Sequence, residues 1–277
     1  MSLKRDLGRA RYAAAQGARV AWYMGQYLLA RRISGPFNRP GEPKFEPQAS
    51  EGDTARIRTA FLELFAKDRT NIEMGLYPAP ADIRLERAVV ALRNSANFFR
   101  DLPKVDQRRL DRDGTEVREE AKGEGRYPTY YLQNFHYQTG GWLSDDSAKL
   151  YDTQVEILFG GAADAMRRIS LGSLARAIRG TDQRNVKLLD VASGNGRFLR
   201  QVLAALPRIP ATGLDLSPAY CAEARKRLAQ WPQVEIVTGA IEQAPFEDET
   251  FDAATCIYLF HELPPRVRRD AARHDGK

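Results

Sequence analysis

The stretch from residue 186 to residue 198 constrains the fold of this chain more than any other. Its first part, residues 188–191, is mostly apolar, which is typical of a buried parallel strand. The next four residues, Ser-Gly-Asn-Gly at 193–196, favour a turn with positive φ angles. A helical pattern follows and ends at Pro207. Strand, glycine turn and helix in this order bring free backbone N–H groups close to a ligand.

Predicted strands and helices continue to alternate after this stretch. A second strand runs from residue 211 to Asp215, and Ser217-Pro218 is a strong signal for the start of a helix. Further strands are predicted at residues 234–238 and 251–259. This alternation predicts right-handed βαβ units and an α/β fold with a parallel sheet.

Two acidic residues stand at the carboxyl ends of predicted strands, where ligands of such sheets bind. Asp190 is expected to accept hydrogen bonds from a cationic or hydroxyl-bearing part of a ligand. Asp215 follows 25 residues later, close to the spacing at which an acid meets ribose hydroxyls in a nucleoside-binding βαβ unit. The alternative for Asp215 is a turn or capping aspartate, although Ser217 already supplies a cap.

Residues 186 to about 265 resemble the class I S-adenosylmethionine-dependent methyltransferases, in the small-molecule branch that includes the ubiquinone-biosynthesis type. The resemblance rests on three motifs and on the Cys256 to Leu263 segment with its His261-Glu262-Leu263. The motifs are Leu189-Asp-Val-Ala-Ser-Gly-Asn-Gly196, Gly213-Leu-Asp-Leu-Ser-Pro218 and Gly239-Ala-Ile-Glu-Gln-Ala-Pro-Phe246, the last followed by Glu249-Thr-Phe-Asp252. It implies a Rossmann-like fold, S-adenosyl-L-methionine as cosubstrate, and transfer of its methyl group to a nucleophile.

The resemblance also implies a set of cofactor-binding residues in the loops after the first three strands. They are Asp190, Ala192, Gly194, Asn195, Gly196, Asp215, Leu216, Ala240 and Ile241. Asp190 is expected near the methionine end of the cofactor, the glycine turn beneath it, and Asp215 on the ribose. The pair Ala240 and Ile241 is expected to border the adenine.

The sequence departs from the family pattern in three places. Ala192 stands where the first glycine of the turn is usual, and Ala240 stands where an aspartate usually faces the adenine amino group. The family fold continues through three more strands after the helix that starts near Pro264. We therefore expect an incomplete domain whose C-terminal strands are missing, with an apolar edge strand that a partner or a second copy would cover.

No catalytic residue can be assigned from the sequence, and His261 and His136 are the weak candidates for a general base. The cysteines Cys221 and Cys256 have no metal-ligand spacing, so no metal site is predicted. Residues 186–263 carry seven Lys and Arg against ten Asp and Glu, which argues against nucleic acid as a partner. A small-molecule or lipid-like methyl acceptor is therefore favoured.

Two other functions remain open at this stage. A nicotinamide-dependent oxidoreductase would use Gly194 and Gly196 as part of its fingerprint, but Leu199 occupies the third glycine position. The second alternative is a non-catalytic methyltransferase-like binding protein, or an inactive fragment. Binding of S-adenosylhomocysteine, NAD or neither distinguishes the three.

The first 50 residues form a basic segment, with nine Lys and Arg against three Asp and Glu. A helix is predicted over residues 3–33, followed by a Pro- and Gly-rich linker. It is too interrupted by polar residues for a transmembrane helix. The interpretations left open are a docking helix, peripheral membrane contact through residues 1–34, and an organelle-targeting segment. Without a disulfide framework the chain is predicted to be cytoplasmic, with membrane association as an addition.

Residues 51–185 are predicted to be a helical region and residues 186–277 the Rossmann-like core. Asp53 or Thr54 is expected to cap the first helix of this region, and a second helix is expected over residues 83–99 with Asp82 as its cap. Aromatic side chains are concentrated in residues 127–142. They are expected either to form a lid over a ligand pocket or to pack the helical region onto the next domain.

Overall fold

A computed structural model describes most of the chain. The described residues are 2–35, 41–42, 50–80, 85–112, 116–120, 127–134 and 138–274. They belong to two compact units, and each unit is made of two separate parts of the chain. The helical unit comprises Met1–Asp113 and Leu150–Gly172, and the sheet unit comprises 114–149 and 173–277. These units follow spatial contact, whereas the three segments predicted from sequence follow composition and motifs, so that division stays a prediction.

The helical unit is built from long helices. They are α1 (Ser2–Ile33), α2 (Glu51–Glu73) and α3 (Leu85–Asp111), with parts of α5 (Asp145–Leu158) and α6 (Ala163–Ala177). The long basic N-terminal helix is thus present as predicted. Among the described residues, no helix contains a stretch long and apolar enough to cross a bilayer.

Two boundaries in this unit differ from the predictions. The N-cap of α2 is Ser50, in a capping box with Asp53 at position N3, and the carboxylate of Asp53 accepts a hydrogen bond from Ser50 N at 2.8 Å. Asp53 and Thr54 are therefore inside the helix. Helix α3 continues past residue 99 to Asp111 with Pro103 inside it, and the cap predicted at Asp82 lies outside the described residues.

A buried ion pair joins α2 to α6 inside the helical unit. Asp68 is fully buried, and its Oδ2 lies 2.6 Å from Arg168 Nη2. The same carboxylate accepts hydrogen bonds from the hydroxyls of Tyr12 in α1, at 2.6 Å, and Tyr77, at 2.9 Å. With this many donors the charge of Asp68 is compensated, which is the condition for burying a carboxylate.

Among its described residues, the sheet unit contains four parallel strands in the order β3-β2-β1-β4. The strands are β1 (Leu188–Val191), β2 (Ala211–Asp215), β3 (Val234–Thr238) and β4 (Ala253–Cys256). The helices α4 (Glu116–Glu120), α7 (Arg197–Ala205), α8 (Pro218–Leu228) and α9 (Pro265–His274) also belong to it, as do the remaining parts of α5 and α6. All four residues of the central β1 are buried. The predicted Rossmann-like parallel sheet is confirmed, together with the N-terminal helical region.

Strand β4 is shorter than the predicted 251–259. Two residues after it ends, Tyr258 has a φ angle of 64°, a left-handed conformation that cannot continue a strand. Within the described residues β4 pairs with β1 alone. It is therefore an edge of the sheet in this structure, and its cover by a partner or a second copy stays a prediction.

The helices after β1 and β2 begin as their sequences predict. Gly196 is the N-cap of α7 with a φ angle of 74°, and a Cβ there would lie 3.0 Å from Leu228 Cδ1 and 3.2 Å from Ala224 Cβ. Only glycine fits this close approach of the turn to α8. Ser217 caps α8 by accepting a hydrogen bond from Tyr220 N at 3.2 Å.

Candidate functional site

The carboxylate of Asp215 joins the two loops that follow β1 and β2. Its Oδ2 accepts a hydrogen bond from Gly194 N at 2.8 Å, and its Oδ1 accepts one from Ser217 N at 2.9 Å. The glycine turn and the acid at the end of β2 therefore lie side by side, as parallel strands place them. Asp215 also holds a turn, which was the alternative function considered for it. Each carboxylate oxygen keeps a second lone pair for a ligand hydroxyl.

The surroundings of Asp215 change its acidity. Burial raises its pKa to about 6, and the hydrogen bonds from Ser217 N and Gly194 N act in the opposite direction. Desolvation of the ionised form is the larger effect, so this carboxylate gains more than an ordinary one from further hydrogen-bond donors. A ligand with free hydroxyls supplies such donors.

Asp190 lies at the carboxyl end of the central strand β1 and is held there by a neighbouring strand. It is 2% exposed, and its Oδ1 accepts a hydrogen bond from Thr255 Oγ1 at 2.8 Å. Thr255 is the β4 residue in register with Asp190, and Gly213 is the β2 residue in register with it. The sequence analysis did not identify Thr255, because the register in which β4 pairs with β1 is seen only in the structure.

The turn after β1 contains a strained alanine. Ala192 has a φ angle of 53°, in the left-handed region, where the Cβ of a non-glycine residue meets the following carbonyl. Gly194 adopts a similar φ of 56° without that cost. Position 192, at which the family pattern has glycine, thus has a backbone conformation that suits glycine, and alanine adopts it here.

The side chain of Asn195 forms hydrogen bonds with two other parts of the chain. The amide is buried, donating to Ala148 O at 3.1 Å and accepting from Arg227 Nη1 at 2.7 Å. Both ends of the side chain thus connect the glycine turn to its neighbours. A cofactor contact by Asn195 stays a prediction, and its backbone is the part that remains for it.

The loop after β3 lies next to Asp215 as well. Gly239 N donates a hydrogen bond to Asp215 O at 2.9 Å, and Ala240 follows as the N-cap of a short 3₁₀ helix, Ile241–Gln243. Ile241 is 7% exposed and belongs to the apolar core beneath the strands, whereas Leu216 after β2 is partly exposed. The predicted residues of all three loops therefore lie together at the carboxyl ends of the strands, but the Ile241 side chain is packed into the core.

Residues 127–134 and 138–142, here called the aromatic cap, belong to the sheet unit and contact its strand-end loops. Ser217 Oγ donates a hydrogen bond to Trp142 O, and Tyr130 OH donates to Glu242 Oε1 at 2.7 Å. Tyr131 is buried between Tyr127 and Trp142, with ring centroids 5.6 Å from each. The rings pack onto the sheet unit, and a lid function over a ligand stays a prediction.

Burial and the neighbouring Asp215 raise the pKa of Tyr131, so its hydroxyl stays protonated. The cap therefore places a neutral phenol near the acid of β2. Sequence reasoning found the cap by its composition but missed Glu242, the acid to which Tyr130 is bonded.

Of the two candidate general bases, one lies among the described residues. His261 lies in a turn after β4 with its side chain 61% exposed, and its Nε2 is 2.8 Å from Glu262 Oε1. His136 lies outside the described residues. A cavity of about 140 Å³ lies in the same unit, bordered by Leu189, Ile241, Phe246 and Phe251 among others.

Comparison with known proteins agrees with this geometry. Residues 188–274 match the family model of a methyltransferase domain. The chain is 35% identical over 109 residues to the demethylmenaquinone methyltransferase of Chlorobaculum tepidum, which covers 39% of this chain and 43% of that protein. It is 31% identical over 128 residues to the ubiquinone/menaquinone biosynthesis C-methyltransferase of Methylobacterium nodulans, covering 45% of this chain and 49% of that protein.

A third relative is a phthiotriol/phenolphthiotriol dimycocerosates methyltransferase of Mycobacterium leprae, 32% identical over 114 residues that cover 40% of this chain and 42% of that protein. The chain thus spans less than half the length of these relatives. The matched part is the segment in which Asp190, the glycine turn and Asp215 meet at the strand ends. Over this segment the chain is therefore similar to methyltransferases, among them enzymes of ubiquinone and menaquinone biosynthesis.

Proposed function

We propose that the sheet unit binds S-adenosyl-L-methionine across the carboxyl ends of β1, β2 and β3 and transfers its methyl group to a small-molecule or lipid-like acceptor. The observation that carries this proposal is the Asp215 carboxylate, which binds Gly194 N and Ser217 N and keeps lone pairs for two hydroxyls. A bare phosphate would be repelled by this charge, whereas a ribose is suited to it.

The residues present fit such a cofactor. With the strand order β3-β2-β1, a ligand whose ribose lies at Asp215 has the glycine turn and Asp190 on one side and the loop after β3 on the other. The buried Asp190 carboxylate would compensate the cationic methionine end. Bound there, the cofactor supplies a methyl group already activated by its sulfonium.

The chain then has mainly to hold the two reactants in line. Asp190 and Asp215 would orient the cofactor, and the aromatic cap would exclude water from the strand ends. His261 would act as a base only for an acceptor that must lose a proton, and its exposed position suits exchange with solvent more than a dry site. The names of the relatives, which are quinone and dimycocerosate methyltransferases, support an apolar acceptor.

An apolar acceptor would be met at a membrane surface, and α1 has features that support such a contact. Its exposed large apolar residues lie among exposed arginines, the pattern of helices that bind anionic lipid surfaces. These apolar residues are Leu7, Trp22, Leu28, Leu29 and Ile33, with exposed fractions from 41% to 61%.

Vesicle sedimentation tests the membrane contact. The double substitution Leu28→Ser with Leu29→Ser should reduce binding to vesicles that contain phosphatidylglycerol. The matched control is Ile57→Ser with Leu62→Ser, which removes two apolar side chains of somewhat greater exposure from α2. Equal loss in both variants, or no loss in either, would exclude a specific role for α1.

Calorimetry with S-adenosylhomocysteine tests the cofactor proposal. The unchanged protein should bind it, and Asp215→Ala should abolish detectable binding because the sugar loses its acceptor and the two loops lose their link. Glu235→Ala is the control, since it removes an exposed acid from the neighbouring β3. No heat from the unchanged protein, or equal affinity of the Asp215→Ala protein, would reject the assignment.

A further inference from the structure

The loop after β3 contains a carboxylate that has no function in the account so far. Glu242 lies in the 3₁₀ helix Ile241–Gln243, two residues after Ala240. Ala240 occupies the position at which an aspartate would face the amino group of adenine, as the family resemblance implies. The chain therefore lacks the expected acid at position 240 and has another acid close by.

One oxygen of Glu242 is held in place and the other is not. Tyr130 OH donates to Oε1 at 2.7 Å, which fixes the carboxylate against the aromatic cap. Glu242 Oε2 is buried from solvent, and no described donor forms a hydrogen bond with it. A buried carboxylate oxygen without a donor costs free energy, so such an atom is a candidate acceptor for a ligand.

The topology places the loop that contains Glu242 on the side of Asp215 where the family resemblance puts the base of the proposed nucleoside. Thr238 of β3 is in register with Asp215, and Gly239 N is bonded to Asp215 O at 2.9 Å. Neighbouring strands are about 4.8 Å apart, so a ligand whose sugar is bound at Asp215 extends its base over the end of β3. Glu242 is the middle residue of the 3₁₀ helix that follows at that point.

We propose that Glu242 Oε2 accepts a hydrogen bond from the exocyclic amino group of the adenine moiety, with Tyr130 as the positioning residue for that carboxylate. The amino group has two N–H donors, and the acceptor is a carboxylate, so the contact is a charge-assisted hydrogen bond. It selects an amino-substituted base over one with a carbonyl or a hydrogen at the same position. This inference rests on the proposed function.

Paired ligands test this contact. One is S-adenosylhomocysteine, and the other is its analogue in which hydrogen replaces the 6-amino group. The unchanged protein should bind the amino form about tenfold more tightly, the ratio expected for a hydrogen bond to a charged group. In Glu242→Ala the two ligands should bind equally. A purely structural role of Glu242 would weaken both ligands by the same factor and keep their ratio.

Two more variants separate folding from recognition. Glu242→Gln keeps the size of the side chain and should retain a preference of a few fold, because the amide oxygen still accepts. Tyr130→Phe should reduce the preference for the amino form without abolishing it, because Glu242 is still present but its carboxylate has lost the hydrogen bond that holds it.

The outcomes distinguish the two proposals. If the unchanged protein binds neither ligand, the proposed function fails and this inference falls with it. If it binds both equally, or if Glu242→Ala keeps the tenfold ratio, the cofactor assignment stands and the contact with Glu242 is overturned.

Discussion

The affinity of the site for a nucleoside should depend on pH through Asp215. Its pKa of about 6 in the ligand-free protein results from burial, against the two backbone hydrogen bonds. Ribose hydroxyls donate to the ionised carboxylate, so binding should bring the pKa back toward its ordinary value and release a proton. Affinity is therefore highest above pH 6 and falls as the pH drops below it.

The magnitude follows from the pKa. At pH 5 a carboxyl group with a pKa of about 6 is about 90% protonated, so the association constant should be about tenfold lower than at pH 8. This corresponds to about 1.4 kcal/mol of binding free energy. At pH 6 the reduction should be about twofold.

The assay is calorimetric titration with 5′-methylthioadenosine between pH 5 and pH 8. This probe lacks the amino and carboxyl groups of the methionine part, so its own charge does not change in that range. Asp215→Asn is the control, because its side chain cannot ionise and its affinity should be independent of pH. A change of less than about twofold across the range, or an equal slope in the Asn variant, would refute the reasoning.

The other predictions concern stability and are measured by urea unfolding. Ala192→Gly should stabilise the protein by up to about 1 kcal/mol, because strain of about 1–2 kcal/mol at φ 53° is relieved and part of it is offset by the freer unfolded chain; a loss of stability would contradict the strain. Gly196→Ala should destabilise by about 2 kcal/mol, since a Cβ would stand 3.0 Å from Leu228 Cδ1 at a positive φ; an unchanged midpoint would show that the turn can move. Arg168→Met should cost about 3–5 kcal/mol by leaving Asp68 buried and unpaired, and adding Asp68→Asn should restore part of that loss; no recovery in the double variant would place the effect in packing.

The parallel sheet and its site loops could be predicted from the sequence because their signals are local. Each of these signals determines the structure of its own segment of a few residues. They are the apolar run of β1, the glycine turn and the helix start at Ser217-Pro218. Asp215 could be placed at the end of β2 for the same reason. Its bonds to Gly194 N and Ser217 N follow from the parallel order of β1 and β2.

The remaining contacts depend on residues distant in sequence. Asn195 is expected at a ligand, and the structure shows that its side chain also binds Arg227 and Ala148, neither of which is visible from the turn itself. The pairing of Tyr130 with Glu242 spans 112 residues. The Ser50 cap of α2 was missed because Asp53 is also a good capping residue, and only the hydrogen bonds separate the cap from position N3.

The sheet unit consists of two separate segments, residues 114–149 and 173–277. This affects both its folding during synthesis and the choice of boundaries for a recombinant fragment. Val117 and Tyr131 are buried within the sheet unit but are synthesised well before its strands. Their apolar surfaces therefore stay exposed to water until residues 173–277 have left the ribosome. A recombinant fragment that starts at residue 186 would contain every cofactor motif and still lack the cap. Any soluble piece intended for crystals or binding assays should therefore begin upstream of residue 114.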